Sequence, residues 1–258
     1  MKRIWILLIG FLIVPLIAAC SDTGASSSNN DSLVIGIDDA FPPMGFRDEN
    51  NEIVGFDIDL AKAVSKKMGV EFVFQPIDWS TKEAELESGR IDLIWNGYTI
   101  TPEREKKVLF TEPYLANAQV ITTLIDSDIT SLEDLQGKNI GIQAQSSALD
   151  AFNAHPIHKE VGSVTEFKDN VLALTDLKAG RVDAVVIDEV VIKYLMAQEE
   201  GTYKILDEAL APEKYGVGVK KGNEELLNKL QQALDEVIAD GTAAEISEKW
   251  FGEDKILK

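Results

Sequence analysis

Residues Gly97 to Lys107 read GYTITPEREKK, and they follow the apolar strand IDLIW with only Asn96 between. Thr101 is a good helix cap, Pro102 suits the first helical position, and Glu103 suits the positive helix end. Capping does not account for Thr99 and Arg104, which converge beside the free backbone N–H groups after Gly97. An arginine fork matches a carboxylate bidentately, and a helix start adds further donors. The turn therefore reads as a seat for a small carboxylate. Asp188 follows the apolar run RVDAVVI, where it caps the helix EVVIKYLMAQ, binds an ammonium group, or does both. With both seats in use, Arg104 and Asp188 would grip the two ends of an amino acid. Phe41 in DDAFPPMGF and Trp79 in IDWST also follow strands. They are either core, the usual fate of an aromatic, or two flat walls that sandwich a side chain and exclude water.

Such residues need elements to position them, and the chain supplies a regular alternation. LVIGI, EFVFQP and IDLIW read as strands, as do KNIGIQ, SVTEF, RVDAVVI, YKI and YGVGV. Between them GFDIDLAKAVSKKMG carries an apolar helical stripe at Ile58, Leu60, Ala61, Val64 and Met68, closed by Gly69. STKEAELESG reads as a helix capped by Ser80, and SSALDAFNA has Ser147 and Asp150 at capping-box spacing. A long final helix spans Glu224 to Asp240, with a short one near Ile246. The pattern implies an α/β protein with mainly parallel sheets, whose ligands sit outside the carboxyl ends of strands. DLIWNGYTITPERE and KNIGIQAQSSALD repeat one plan: apolar strand, hydroxyl-rich turn, helix start. Two lobes facing one cleft follow, the first from 33–113 and 216–258, the second from 119–211. No Pro/Gly-rich linker joins them, so 114–118 and 212–215 are the expected hinge crossovers.

The ends and the composition narrow the setting. Residues 1–19 have a basic start, an apolar run from Ile4 to Ile17, and small residues before Cys20, the pattern of an export signal. That run is shorter than the roughly 18–20 residues a membrane-spanning helix needs. Cys20 is the one cysteine, so no internal disulfide forms, and Ile17-Ala18-Ala19-Cys20 resembles the lipobox of bacterial lipoproteins. An acylated Cys20 would tether the domain to a membrane surface, and residues 20–32, rich in Ser, Asn, Asp and Gly, would be a flexible spacer. The net charge of −19 opposes general affinity for nucleic acid or anionic lipid. His155 and His158 lie either side of Pro156 and Ile157, off any regular helix face, which points to a solvated loop and no metal site. No phosphate loop, cofactor motif or Ser/His/Asp arrangement is evident.

Taken in order, IGIDDAFPPMGF, GFDIDLAKAV, IDWS, GYTITPERE, FTEPY, DAVVIDE and KWFG resemble the polar amino-acid-binding proteins of bacterial ABC importers. The resemblance covers residues 33–252, and it implies a two-lobed Venus-flytrap fold of the type II periplasmic-binding kind. By that resemblance Arg104, Thr99 and the Ser147 N–H bind the α-carboxylate, while Asp188, Thr99 and the Gly97 carbonyl take the α-ammonium. Asp38, Phe41, Trp79 and Gln143 would face the ligand side chain, with Asn96 bordering it and Glu83 within reach. None of these positions carries lysine or arginine, so a side-chain carboxylate would find no cation and would be costly to desolvate. The set suits a planar, donor-rich group between aromatic walls, best satisfied by arginine, with glutamine or cystine as alternatives. The expected partner is a membrane permease, and the expected state a lipid-anchored extracytoplasmic monomer. An enzyme on the same fold, a dehydratase of cyclic acids, would need a poised acid or base, and the clamp already uses Asp38 and Asp188. A ligand-gated sensor would carry a membrane-spanning segment after Phe251, and none is seen up to Lys258.

Overall fold

Continuous β-branched runs need burial on both faces, and the strand AVVID shows how this chain provides it. Val185 and Ile187 pack into one apolar cluster with Leu174 and Leu177, while Ala184 and Val186 pack into another with Ile140, Ile142 and Phe152. The computed structural model describes residues 32–258. The export segment, Cys20 and spacer residues 20–31 lie outside the described residues.

The first sheet is built from β1 (Leu33–Ile37), β5 (Phe72–Pro76), β6 (Leu93–Ile94), β7 (Val108–Phe110) and β14 (Gly218–Lys220), ordered β5-β1-β6-β14-β7. A small antiparallel sheet, β2 (Ala40–Phe41), β3 (Gly45–Arg47) and β4 (Ile53–Val54), leads into α1 (Phe56–Met68). Further helices α2 (Lys82–Ser88) and α3 (Pro102–Glu105) precede β6 and β7. The second sheet contains β8 (Leu115–Leu124), β9 (Asn139–Gln143), β10 (Ser163–Phe167), β11 (Ala184–Asp188) and β12 (Tyr203–Ile205), ordered β10-β9-β11-β8-β12. Its helices are α4 (Ser147–Ala154), α5 (Asn170–Lys178) and α6 (Glu189–Gln198). β13 (Ala211–Tyr215) pairs with β8, and α7 (Glu224–Ala239) and α8 (Thr242–Phe251) pack back on α1.

The sheets are mixed, not mainly parallel as the alternation suggested. β14 runs antiparallel to both neighbours, and β8 runs antiparallel to β11, β12 and β13. β14 enters the first sheet from β13, which lies on the second sheet beside β8, so its direction is set by the chain's return between sheets and by no local crossover. Residues 115–118 and 212–215 lie on β8 and β13 of the second sheet, at the ends where the chain joins the first. They pair with one another, Leu115 opposite Tyr215 and Gln119 opposite Ala211, to form a two-stranded ribbon.

One expected cap also shifts. Asp78, not Ser80, caps the region before α2: its carboxylate accepts from Ser80 N at 2.9 Å, and a 3₁₀ turn at Trp79–Thr81 delays the helix to Lys82. The helix start of α1 has a glycine at its cap position, so its first donors find loop carbonyls instead. Phe56 N donates to Pro43 O at 2.7 Å and Asp57 N to Met44 O at 2.9 Å.

Candidate ligand-binding site

The turn after β6 is held from several sides. Gly97 has φ +59, in the left-handed region, and a Cβ there would lie 2.8 Å from Phe41 Cε1 and 3.3 Å from the Tyr215 ring. Its N–H donates to Asp57 Oδ2 at 2.7 Å, and Tyr114 OH donates to Asp57 Oδ1 at 2.8 Å. Burial nevertheless pushes Asp57 up to about 7, against these hydrogen bonds. Thr101 caps α3 as its sequence implies, accepting from Arg104 N at 3.2 Å. Arg104 is buried; its guanidinium lies 4.7 Å from the centre of the Tyr98 ring, and one Nη donates to Thr99 O at 3.0 Å. Glu83, 3.9 Å from Arg104 Nε, accepts from Tyr98 OH at 3.1 Å, so it does reach this group.

The second lobe offers its own turn between β9 and α4. The cap there is Ser146, whose hydroxyl accepts from Leu149 N at 3.1 Å, one residue before the expected Ser147. Ser147 is thereby free to point at the other lobe, donating to Thr99 Oγ1 at 3.1 Å. Asp188 occupies the cap position of α6 without capping it. Its Oδ1 instead accepts from Tyr215 OH at 2.6 Å, Asn117 Nδ2 at 2.7 Å and Gln119 Nε2 at 2.9 Å. Asn117 Oδ1 takes over the cap, accepting from Val190 N at 3.4 Å. Burial first, and the neighbouring Glu213 second, push Asp188 up to about 7; Tyr215, Gln119 and Arg104 oppose them.

The remaining expected residues gather at strand ends of both lobes. Asp38 accepts from Ala40 N at 3.0 Å and, across the lobes, from Gln143 Nε2 at 2.7 Å. Burial pushes Asp38 up to about 6, those hydrogen bonds lowering it and Asp169 and Asp39 adding repulsion. Asn96 is buried against Gly45, where a Cβ would come within 2.0 Å of its Oδ1, and neither polar atom of its amide has a partner among the described residues. Phe41 lies against Gly97, but Trp79 is packed edge-on to Tyr98, centroids 5.9 Å apart, with Lys82 Nζ 5.1 Å from its ring centre.

Five polar residues of this region were not legible from the sequence. Lys82 is buried and donates to Trp79 O at 3.1 Å and to Gln145 O of the other lobe at 2.9 Å, so a cation does stand near Trp79. Burial, then Arg104, pull it down to about 8. Asn117 and Gln119 on β8 and Glu213 and Tyr215 on β13 face the same space. Their signal was present as two i, i+2 pairs on strands, which point to one face. The histidines stay apart: His155 Nδ1 accepts from Ile157 N at 3.3 Å, and His158 sits edge-on to Phe152. Among the described residues no three His, Cys, Asp or Glu side chains are grouped to hold a metal ion.

Donor groups of Arg104, Thr99 and Ser147 therefore lie near the carboxylates of Asp188 and Glu213, an arrangement with the chemistry to take a small zwitterion. Comparison with known proteins agrees in kind. The bacterial extracellular solute-binding proteins, family 3, match residues 33–253. The L-cystine-binding protein TcyJ of Escherichia coli strain K12 is 31% identical over 258 residues, covering 96% of this chain and 95% of that protein. A substrate-binding protein of an ABC uptake transporter from Streptococcus pneumoniae, solved with bound histidine, is 42% identical with a TM-score of 0.86. The match covers 89% of this chain and 96% of that one. An ancestral arginine-binding protein bound to arginine is 45% identical with a TM-score of 0.80, over 86% of this chain and 98% of that one.

Proposed function

Because this chain belongs to the bacterial extracellular solute-binding proteins, family 3, we propose that it captures a polar amino acid and delivers it to the permease of an ABC transporter. The observation that carries this reading is the meeting of Thr99, beside Arg104, with Ser147 from the facing lobe, next to Asp188. Arg104, Thr99 and the Ser147 N–H hold the α-carboxylate, and Asp188, Thr99 and the Gly97 carbonyl hold the α-ammonium. Asp38, Phe41, Trp79, Asn96 and Gln143 surround the ligand side chain. The β8–β13 ribbon serves as the hinge between the lobes, and the closed form is what the permease recognises. Residues 1–19 direct export, and acylated Cys20 anchors the protein outside the membrane.

Arginine is the ligand this side-chain end fits best. Asp38 supplies a carboxylate for a guanidinium, and the acidic surface attracts a cation at low salt. Lys82 opposes this choice less than its position suggests, since Glu83 lies 3.5 Å from its Nζ. Glutamine is the second reading, favoured by one contact: the amide of Gln143 already hydrogen-bonds Asp38. A thermal-shift panel of the twenty amino acids and cystine tests both. Stabilisation by arginine is expected; stabilisation by glutamate but not by arginine or glutamine would sink the assignment of the side-chain end.

A further inference from the structure

We propose that Glu213 is a second acid of the ammonium seat, and that its place beside Asp188 keeps on Asp188 a proton that ligand capture expels. The proposal rests on the amino-acid reading above and assigns a new residue to its site.

Glu213 stands on β13, directly opposite Asn117 on β8, and its side chain turns into the cleft. Its Oε2 accepts from Gln119 Nε2 at 2.9 Å, Thr99 Oγ1 at 3.1 Å and Asn117 Nδ2 at 3.2 Å, and Ser147 Oγ, whose proton goes to Thr99, lies 3.4 Å away. The same two amide nitrogens also serve Asp188 Oδ1. Two acceptors that share a donor at ordinary hydrogen-bond length are within about 6 Å of each other. At that separation the negative charge of Glu213 disfavours ionisation of Asp188. Among the described residues neither Asp188 nor Glu213 has an ion-pair partner.

The other groups around the pair do not remove the conflict. Arg104 acts on Asp188 only at a distance, and it is already engaged with Thr99 O. Tyr215 donates to Asp188, and burial together with the two acids keeps its phenol protonated. Tyr114 is likewise held protonated, by burial and by Asp57. Glu189, the first residue of α6, pairs with Lys193. Asn117, Gln119, Thr99 and Ser147 carry no charge to offer. A ligand ammonium does: it enters with one positive charge, Asp188 then ionises, and the displaced proton passes to solvent. Affinity should therefore rise with pH through neutrality, until the ligand amine itself loses its proton. The shift of Asp188 toward neutral pH agrees with this pairing.

The test is calorimetry at pH 7 in phosphate and in Tris, whose ionisation enthalpies differ, with L-arginine, L-glutamine and L-histidine titrated in turn. Wild type should release between about half and one proton per ligand bound, and Glu213→Gln should release almost none and bind about tenfold or more weakly. Binding without proton release, or unchanged release in Glu213→Gln, would overturn the proposal and leave amino-acid capture standing. Carboxyl ¹³C NMR of the protein without amino acid supplies an arm that needs no ligand. Asp188 should titrate near neutrality in wild type and lower in Glu213→Gln. An ordinary Asp188 midpoint in wild type would refute the pair even if none of the three amino acids binds.

Discussion

Two adjacent serines divide the work at the start of α4. Ser146 satisfies a helix donor, accepting from Leu149 N, whereas Ser147 reaches Thr99 on the facing lobe. Ser146→Ala should therefore cost about 0.5–2 kcal/mol of stability by chemical denaturation. Ser147→Ala should leave the unfolding midpoint nearly unchanged and weaken amino-acid binding; the reverse pattern would show that the roles are exchanged. Arg104 is the harder test of the carboxylate seat. It supports its surroundings through Thr99 O and the Tyr98 ring, but a buried ligand carboxylate left unpaired is the larger loss. Arg104→Ala should cost roughly 2–5 kcal/mol of binding, measured by calorimetry. Near-normal affinity in that variant would remove the guanidinium from the site.

The turn between β6 and α3 ties local backbone geometry to the rest of the fold. Gly97 adopts a left-handed conformation, and Asp57, on the first turn of α1, holds its N–H and the hydroxyl of Tyr114 together. A Gly97→Ala substitution meets the αL penalty of about 1–2 kcal/mol, besides displacing Phe41. Denaturation should show at least that loss, and binding should fall with it; a fully stable variant would refute the strain argument. The capping of α3 by Thr101 and the proline at its first position were readable because they depend on four consecutive residues. The same local logic misplaced the caps at Ser80 and Ser147, where a 3₁₀ turn and a neighbouring serine competed for the role. The periodic helices were legible for the same reason, and the antiparallel direction of β8 and β14 was not. Strand direction there depends on how the chain returns between sheets, which no window of sequence contains. Of the two roles open to Asp188, the capping one falls to Asn117, which accepts from Val190 N, 73 residues away in sequence. Lys82 and Glu213 were missed on the same account: a buried lysine on an acidic helix and an acid in a crossover resemble solvated residues until the lobes meet.

At the scale of the molecule, the lobes touch through polar contacts, Asp38 with Gln143, Thr99 with Ser147 and Lys82 with Gln145 O, and through aromatic ones such as Phe46 with Tyr194. The hinge proposed for the β8–β13 ribbon predicts that saturating amino acid compacts the protein in small-angle scattering, and an unchanged radius of gyration would count against hinge closure. The same cleft and hinge also concentrate acids whose protonation favours folding. Burial is the leading cause in each case, raising Asp38 to about 6 and Asp57 and Asp188 to about 7. An unfolded carboxylate titrates near 4, so between about pH 4 and pH 7 the folded chain binds more protons than the unfolded one. Stability contributed by these groups is therefore present at low pH and lost as pH rises through 6 and 7. Surface acids such as Asp134 and Asp176, lowered by hydrogen bonds, act in the opposite sense, but only as pH falls below about 4. The net charge of −19 adds repulsion in the same direction as the buried acids, and salt separates the two. The melting temperature should be higher at pH 5 than at pH 8 by about 5 °C or more, and most of that difference should persist in about 0.5 M NaCl. A melting temperature that rises from pH 5 to pH 8, or a difference that vanishes in salt, would mean that Asp38, Asp57 and Asp188 are ionised in the folded chain at ordinary carboxylate pH.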